Sequence, residues 1–132
     1  MPELKTYIVE DSPLIREDLI ATLEELTPVH VVGTADNEDG ALQWLLVPGQ
    51  GVDLVVVDLF LHSGSGLGVL RALALRPPPH CKVVVLSNYA TPAMRRTCLE
   101  LGADCVFDKS TEIDALIRFC GQLAQDRSVA AR

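Results

Sequence analysis

Four short apolar runs in this chain each end on polar or charged side chains. Runs of Val, Ile and Leu without polar interruption predict strands that are covered on both faces, as in a parallel sheet. Because sites in open parallel sheets form outside the carboxyl ends of the strands, we expect the residues after these runs to lie near one another. The runs are 7–9, followed by Glu10 and Asp11, then 54–57, followed by Asp58, then 83–86, followed by Ser87, and the weaker 105–107, followed by Asp108 and Lys109.

Helix signals alternate with these strands, so that a strand followed by a helix occurs five times. This repeat predicts an α/β fold of the (βα)5 flavodoxin-like class, a doubly wound parallel sheet with strand order 2-1-3-4-5. Gly102 is expected just beyond the fourth helix, and the last helix is expected to end near Gln125. The expected N-caps are Ser12, Asp36, Thr91 and Thr111, and the prolines expected to break the third helix are Pro77, Pro78 and Pro79.

The composition fits one compact domain, which we place at residues 1–126, with a short tail at 127–132. The chain has 132 residues, of which 48% are hydrophobic, enough for a packed core. The formal net charge is −7 and there is no block of Lys or Arg, which disfavours direct binding of nucleic acid.

We find no signal-peptide pattern and no apolar stretch of membrane-spanning length. The 4 cysteines form no C-x-x-C pair, so we expect buried, reduced thiols and a cytoplasmic protein.

The acidic residues at the predicted strand ends suit a divalent cation. Clustered carboxylates resist ionising together unless a cation lies among them, and hard oxygen ligands on a rigid sheet edge suit Mg²⁺. Asp11 and Asp58 are the best candidates for direct ligands, and Glu10 could bind directly or through water. Asp58 is also a candidate nucleophile toward a phosphoryl group, with Lys109 neutralising the phosphoryl oxygens and Ser87 donating a hydrogen bond to one of them.

Each of these residues has an ordinary explanation when it is taken alone. Glu10 and Asp11 would favour the positive end of the first helix, Asp58 is a common turn residue, and a lone lysine is usually solvated. These separate explanations do not predict that all of the residues meet at one edge of the sheet.

Taken together, the residues resemble those of response-regulator receiver domains of bacterial two-component signalling. The resemblance covers essentially the whole chain, and it rests on five residues in order at four strand ends. Supporting segments are 57–59 (Val-Asp-Leu), 65–67 (Ser-Gly-Leu, with Gly66 eight residues after Asp58) and 101–104 (Leu-Gly-Ala-Asp). The five residues are Glu10, Asp11, Asp58, Ser87 and Lys109.

The resemblance implies an Mg²⁺-dependent switch that receives a phosphoryl group on Asp58 from a sensor histidine kinase or a phosphotransfer protein. It implies that Asp11, Asp58 and the Phe60 backbone carbonyl hold the metal, and that Ser87 and Lys109 contact the phosphoryl group. The only catalysis expected is the chain's own phosphorylation and dephosphorylation. The resemblance also implies that an unknown downstream protein receives the signal. It further implies that the chain can form a homodimer through helix 4, strand 5 and helix 5.

Several positions depart from the usual pattern of this family. Glu10 stands where Asp is commoner, which could change metal affinity and geometry. His62 replaces a typical proline, which predicts a less rigid loop after the third strand, and Ser110 replaces the proline that often follows the lysine. Asn88 replaces a small residue, where it would crowd the entry path of the phosphoryl group or add a hydrogen bond.

The aromatic residue of the family's switch is displaced as well. Its usual position, three residues before the lysine, is Val106 here, and the neighbouring ring is Phe107. Because neighbouring strand residues face opposite sides of a sheet, we predict that Phe107 does not take over this role. We hypothesise that Ser87 and the loop after the fourth strand carry the switch.

Two aromatic residues, Phe60 and Tyr89, are expected to flank the site, each two residues beyond a site residue. Their rings would restrict the water that hydrolyses an aspartyl phosphate, which predicts slow loss of the phosphoryl group. The arginines expected on the last two helices are interpreted as solvated side chains, with the partner or dimer face of the resembled family as the alternative: Arg95, Arg96 and Arg118.

Other functions fit parts of the pattern. A haloacid-dehalogenase-type phosphohydrolase would need a second Asp two residues after the nucleophile, where Phe60 stands. An FMN-binding flavodoxin-like module would need a hydroxyl- and glycine-rich loop after the first strand, where Glu10 and Asp11 would repel a phosphate. Two readings stay open: a pseudo-receiver that acts by contact without phosphorylation, and a receiver fragment of a larger DNA-binding transcription regulator.

Overall fold

The computed structural model describes residues 3–75 and 80–130. Within them, strands and helices alternate along the chain as the sequence predicts. The elements are β1 (Leu4–Val9), α1 (Pro13–Leu26), β2 (Val29–Ala35), α2 (Glu38–Leu45), β3 (Leu54–Val57), α3 (Gly66–Leu75), β4 (Lys82–Ser87), α4 (Pro92–Glu100), β5 (Cys105–Asp108) and α5 (Ile113–Ala130). The three prolines predicted to break the third helix lie outside the described residues.

The strands form one parallel sheet in the order β2-β1-β3-β4-β5, which confirms the predicted fold class and strand order. Neighbouring strands are in register at their carboxyl ends, where Val9 pairs with Val57 and Val57 pairs with Val85. All four residues of β3 are buried, as expected for the central strand of a sheet covered on both faces. The residues that follow β1, β3 and β5 therefore emerge at the same edge.

Two apolar layers cover the sheet because successive side chains of a strand point to opposite faces. Val57 belongs to the layer that packs against α2, α3 and α4, and Val56 belongs to the layer that packs against α1 and α5. Val106 lies in the first layer and Phe107 in the second, where its ring centroid is 6.0 Å from that of Phe119. The prediction that Phe107 faces away from the side of Val106 is confirmed.

Two of the predicted helix caps are confirmed, and a third is shifted by one residue. Ser12 Oγ accepts the N–H of Ile15 at 3.3 Å, and Thr91 also caps its helix as predicted. The predicted cap Asp36 is wrong. Because β2 continues to Ala35, α2 begins one residue later, and Asn37 Oδ1 accepts the N–H of Gly40 at 2.7 Å.

The last helix differs from its prediction at both ends. Thr111 is not its cap: α5 begins at Ile113, and the amides of Ser110 and Thr111 donate to Asp108 Oδ1 at 2.7 and 3.1 Å. The helix continues to Ala130, beyond the predicted end at Gln125 and through most of the predicted tail. The added turn is anchored by Arg127, whose Nη1 lies 3.6 Å from Asp53 Oδ1. The positive φ of Gly102, +101°, agrees with its predicted place after α4.

The cysteines are free thiols that are buried to different degrees. Cys98 and Cys120 are buried as predicted, and burial raises the pKa of Cys120 to about 12. Cys81 and Cys105 are only half-buried, Cys81 directly before β4 and Cys105 at the first position of the edge strand β5. No helix within residues 3–75 and 80–130 has the length and apolar character that a bilayer span requires.

Candidate functional site

Three carboxylates meet at the carboxyl ends of β1 and β3. Glu10 and Asp11 directly follow β1, and Asp58 directly follows β3. One oxygen from each lies within 4.8 Å of the others. Glu10 and Asp58 are buried and Asp11 is half-buried. Three negative charges this close repel one another, so the arrangement favours a cation among them.

Lys109, which directly follows β5, supplies a positive charge to this cluster. Its Nζ donates a hydrogen bond to Asp58 Oδ2 at 3.1 Å and another to Glu10 Oε1. Burial by itself would lower the pKa of the ammonium group, but the hydrogen bond to Glu10 and the charges of both carboxylates outweigh burial, so the pKa of Lys109 is raised. Lys109 is therefore protonated at neutral pH.

Glu10 is fixed by hydrogen bonds through both its side chain and its backbone. Its Oε2 accepts the N–H of Ser12 at 3.1 Å, and its carbonyl accepts a hydrogen bond from Arg16 Nη1 at 2.9 Å. Burial raises the pKa of Glu10 above its ordinary value, while hydrogen bonds from Lys109 and Ser12 act in the opposite direction.

The loop that follows Asp58 contacts both its side chain and its backbone. Its Oδ1 accepts a long hydrogen bond from the N–H of Phe60, at 3.4 Å. Gly66, the first residue of α3, packs so closely that a Cβ there would overlap the carbonyl oxygen of Asp58. This close approach gives a physical reason for a glycine eight residues after Asp58.

A cleft of about 180 Å³ opens over the carboxylates and Lys109. Phe60 and Tyr89 line it, with ring centroids 4.9 Å apart in an edge-to-face arrangement. Both rings are more than half exposed, at 51% and 62%. As the sequence predicts, two aromatic rings flank the cleft that contains Asp58.

Ser87 is not among the residues that line this cleft. Its side chain is fully buried, and its Oγ accepts the N–H of Tyr89 at 3.0 Å. Asn88 lines the cleft, and its Oδ1 accepts a hydrogen bond from Ser110 Oγ at 3.5 Å. The structure thus brings together four of the five predicted residues, Glu10, Asp11, Asp58 and Lys109, whereas Ser87 does not line the cleft.

The loop between β3 and α3 is held by two contacts that the sequence analysis did not predict. In its middle, the N–H of His62 donates to Asp11 Oδ2 at 2.9 Å. At its end, the N–H of Ser65 donates to Glu38 Oε1 at 2.8 Å. The partners are 51 and 27 residues apart, so no local pattern in the sequence connects them.

Arg95 is also placed differently from its prediction. It was expected to be a solvated arginine, but it is half-buried and donates to the carbonyl oxygens of Ala90 at 3.0 Å and Val106 at 2.8 Å. Its Nη2 also donates to Glu112 Oε1, which accepts the N–H of Asp108 at 3.0 Å as well. The interpretation of Arg95 as a solvated side chain is therefore wrong.

The donor set of the cleft fits Mg²⁺. This ion prefers hard oxygen ligands, binds through one or two carboxylates and retains several waters. Glu10, Asp11 and Asp58 provide carboxylate oxygens from a rigid sheet edge, in a cleft with room for water. The part of the Phe60 carbonyl as a further ligand stays a prediction.

The family model for the response regulator receiver domain matches residues 6–120 of this chain. The match begins within β1 and ends within α5, so it includes most of β1, all of the other strands and every residue that lines the cleft.

Several curated proteins are similar to this chain over part of their length. A probable transcriptional regulatory protein of Picosynechococcus sp. is 31% identical over 124 residues, which are 90% of this chain and 48% of that protein. A protein-glutamate methylesterase/protein-glutamine glutaminase of Anaeromyxobacter dehalogenans is 38% identical over 102 residues, 76% of this chain and 27% of that protein. The sensory transduction protein LytR of Staphylococcus haemolyticus is 35% identical over 78 residues, 58% of this chain and 30% of that protein. The chain therefore spans less than half the length of each of these relatives.

Solved structures share the fold. The signal receiver domain of a DNA-binding response regulator from Colwellia psychrerythraea superposes with a TM-score of 0.82 at 22% identity, covering 93% of this chain and 99% of that one. The receiver domain of the Francisella response regulator 1452 superposes with a TM-score of 0.78 at 21% identity, covering 95% and 99%. From the sequence match over residues 6–120 and the shared fold, we conclude that this chain belongs to the response regulator receiver domain family of two-component systems.

Proposed function

We propose that this chain is a phosphorylation switch whose phosphoacceptor is Asp58. The observation that supports this most strongly is the arrangement of charges at the sheet edge. Asp58 Oδ2 is hydrogen-bonded to Lys109, and oxygens of Glu10 and Asp11 lie within 4.8 Å of an Asp58 oxygen. One cleft thus combines a nucleophilic carboxylate, an ammonium group for the phosphoryl oxygens and a carboxylate set suited to Mg²⁺.

In the proposed reaction, a carboxylate oxygen of Asp58 forms a bond to phosphorus while the bond between phosphorus and the donor breaks. The electron pair of that bond stays on the leaving group, which is an imidazole nitrogen when the donor is a phosphohistidine. Lys109 would turn from the Asp58 carboxylate to the oxygens of the transferred group. Asp11, Asp58 and the Phe60 carbonyl would hold Mg²⁺, and Glu10 would bind it directly or through water. The bound ion would offset the negative charge on the phosphoryl oxygens.

The signal is proposed to leave the site through Ser87 and the loop between β4 and α4. Ser87 Oγ accepts the N–H of Tyr89, and its own hydrogen would be donated to a phosphoryl oxygen on Asp58. Because Ser87 is fully buried and does not line the cleft, we propose that the loop at residues 88–91 moves when this new bond forms. A Ser87→Ala variant that signals as well as the wild type in a kinase-dependent assay would contradict this route.

The partners are proposed from membership of the family. A sensor histidine kinase or a phosphotransfer protein would donate the phosphoryl group, and an unknown downstream protein would receive the signal. On the same ground we propose that the chain forms a homodimer through α4, β5 and α5. We also propose that it is cytoplasmic and does not itself contact nucleic acid. No turned-over substrate is proposed. A stand-alone receiver and a domain of a longer DNA-binding transcription regulator are both compatible with the partial coverage of the relatives.

The proposal is tested by the intact mass of the protein after incubation with Mg²⁺ and acetyl phosphate. We expect one phosphoryl adduct on the wild type and none on Asp58→Asn. Asp39→Asn is the matched control, because it makes the same chemical change at an exposed position on α2 and should leave the adduct in place. An adduct on Asp58→Asn would exclude Asp58 as the acceptor, and no adduct on the wild type would favour the pseudo-receiver alternative.

A further inference from the structure

We propose that His62 is a positioning residue for the metal ligand Asp11, and that it acts through its backbone N–H rather than through its imidazole. The inference rests on the proposed function, because it concerns the metal site of the phosphorylation switch. It assigns a role to a loop residue that stands where the family usually has proline.

The geometry starts from one oxygen of Asp11. The N–H of His62 donates to Asp11 Oδ2 at 2.9 Å, a normal distance for a hydrogen bond between an amide and a carboxylate. Asp11 is also one of the three residues whose carboxylate oxygens lie within 4.8 Å of one another. A single hydrogen bond therefore ties the loop after β3 to a carboxylate of the cluster.

The imidazole contributes little to this contact. His62 Nε2 lies 3.5 Å from the same Asp11 oxygen, and the His62 side chain is 90% exposed. An exposed ion pair at that distance is weak even when the histidine is charged. The Asp11 side chain, by contrast, is only 14% exposed, so the carboxylate that accepts the amide N–H is itself largely buried.

The chemical identity of residue 62 matters because proline has no N–H. With proline here, Asp11 Oδ2 would lose its donor from the loop, whereas any other residue retains it. The departure from the family pattern at His62 therefore has a specific structural consequence that does not depend on histidine chemistry.

The loop is restrained so that this N–H is held in place. Farther along it, Glu38 at the start of α2 donates its N–H to the carbonyl of Ser63 at 3.2 Å and accepts the N–H of Ser65 through Oε1 at 2.8 Å. The loop is thus tied to α2 on one side and to Asp11 on the other. A donor held in this way reaches Asp11 at a smaller entropy cost than a donor on a free loop.

A carboxylate oriented by an outer hydrogen bond binds a metal more tightly than one that rotates freely. Loss of such partners typically weakens metal affinity by about 10–100-fold. We therefore expect His62→Pro to raise the dissociation constant for Mg²⁺ by about tenfold, at the lower end of that range. His62→Ala keeps the N–H and should leave the constant close to that of the wild type.

The test is a titration of the full chain with Mg²⁺ alone, followed by NMR shifts of backbone amides, for wild type, His62→Ala and His62→Pro. Tighter binding by wild type and His62→Ala than by His62→Pro supports the inference. If His62→Ala is weakened as much as His62→Pro, the imidazole is responsible and the inference is wrong. If all three bind equally, His62 has no positioning role.

A second measurement decides the question even if His62→Pro does not fold. In metal-free protein, the amide of His62 should exchange slowly with deuterium in the wild type and faster in Asp11→Ala. Fast exchange in the wild type, or exchange that Asp11→Ala does not change, would overturn the inference.

Failure of this inference is distinguishable from failure of the proposed function. Wild type that binds Mg²⁺ and gains a phosphoryl adduct, with equal metal affinity in all three proteins, contradicts only the role of His62. Wild type that does not bind Mg²⁺ contradicts both.

Discussion

At the residue scale, Gly66 shows how a backbone position can depend on the absence of a side chain. The first residue of α3 packs against the carbonyl oxygen of Asp58, and its N–H donates to the carbonyl of Leu59 at 3.0 Å. A backbone carbonyl in a buried strand end cannot move aside as a flexible side chain can. Any Cβ at position 66 must therefore push α3 away from the sheet.

We predict that Gly66→Ala lowers the free energy of unfolding by about 1–3 kcal/mol, the usual cost of forcing extra atoms into a packed region. Gly121→Ala is the matched control, since a Cβ at this position of α5 meets no atom within 4 Å. The control should raise the free energy of unfolding by about 0.5–1 kcal/mol, because alanine is the better helix former. Urea unfolding of both variants measures the difference, and equal effects would contradict the close packing at Gly66.

The ring pair at the mouth of the cleft gives a second prediction at this scale. Phe60 and Tyr89 line the cleft that contains Asp58. We predict that their rings restrict the hydrolytic water, so that replacing Phe60 with Asn and Tyr89 with Glu speeds hydrolysis of the aspartyl phosphate several-fold. The decay of the phosphoryl adduct after removal of acetyl phosphate measures this rate.

A control for the ring variant is Leu26→Asn, which replaces an exposed apolar residue at the far end of α1. It should leave the decay rate unchanged. If the double variant decays no faster than this control, the rings do not restrict the hydrolytic water.

At the scale of elements, Arg95 and Glu112 join α4 to the start of α5. The hydrogen bond from Arg95 is the main reason that the pKa of Glu112 is lowered. A carboxyl group whose pKa is lower in the folded chain stabilises the fold above the pKa of the unfolded chain, and this contribution is lost as the pH falls through the folded pKa.

We predict that Glu112→Gln lowers the Tm at neutral pH, and that the difference from wild type shrinks below about pH 4.3, the ordinary pKa of a glutamate. Thermal unfolding followed by circular dichroism over a pH series tests this. Glu17→Gln removes the same charge from an exposed position of α1 and should change the Tm little. A difference between Glu112→Gln and wild type that stays constant down to about pH 3 would show that the charge of Glu112 is not involved.

The elements themselves were largely predictable, since their signals are local. The run at residues 54–57 is apolar at every position, and the structure buries all four residues between two helical layers. Helix boundaries were harder to predict where two neighbouring residues could each cap the helix. Asp36 and Asn37 are both good cap residues, and only the length of β2 decides between them.

Polar contacts between distant segments were not predictable. The pairs His62–Asp11 and Arg95–Glu112 join loops and helix ends whose sequences show no periodic pattern. The placement of Ser87 also differs from the simplest expectation, because its side chain turns to the Tyr89 amide instead of the cleft. Four of the five site residues could be placed from the sequence because parallel strands deliver whatever follows them to one edge.

At the scale of the whole molecule, the acidic cluster connects metal binding to stability. The folded chain holds three carboxylates together, whereas an unfolded chain does not, so an ion that binds the cluster binds the folded state selectively. Binding of this kind stabilises a protein by about 2.7 kcal/mol when the ligand is present at 100 times its Kd.

We therefore predict that Mg²⁺ raises the Tm of the wild type and that Asp58→Asn reduces this rise by half or more. Thermal unfolding in Mg²⁺ and in chelator gives both values. The same rise in Asp39→Asn as in the wild type would show that the effect belongs to the cluster and not to total acidic charge. An equal rise in all three proteins would mean that Mg²⁺ binds elsewhere.

Reduction with borohydride followed by peptide mass analysis shows whether Asp58 itself carries the phosphoryl group. Borohydride converts an aspartyl phosphate to homoserine, which marks the phosphorylated position in the sequence. After incubation with acetyl phosphate and Mg²⁺, we expect homoserine at position 58, and none when Mg²⁺ is removed by a chelator. Homoserine at Asp11 or another aspartate, 5-hydroxynorvaline at Glu10, or homoserine at position 58 without Mg²⁺ would contradict Mg²⁺-dependent phosphorylation of Asp58.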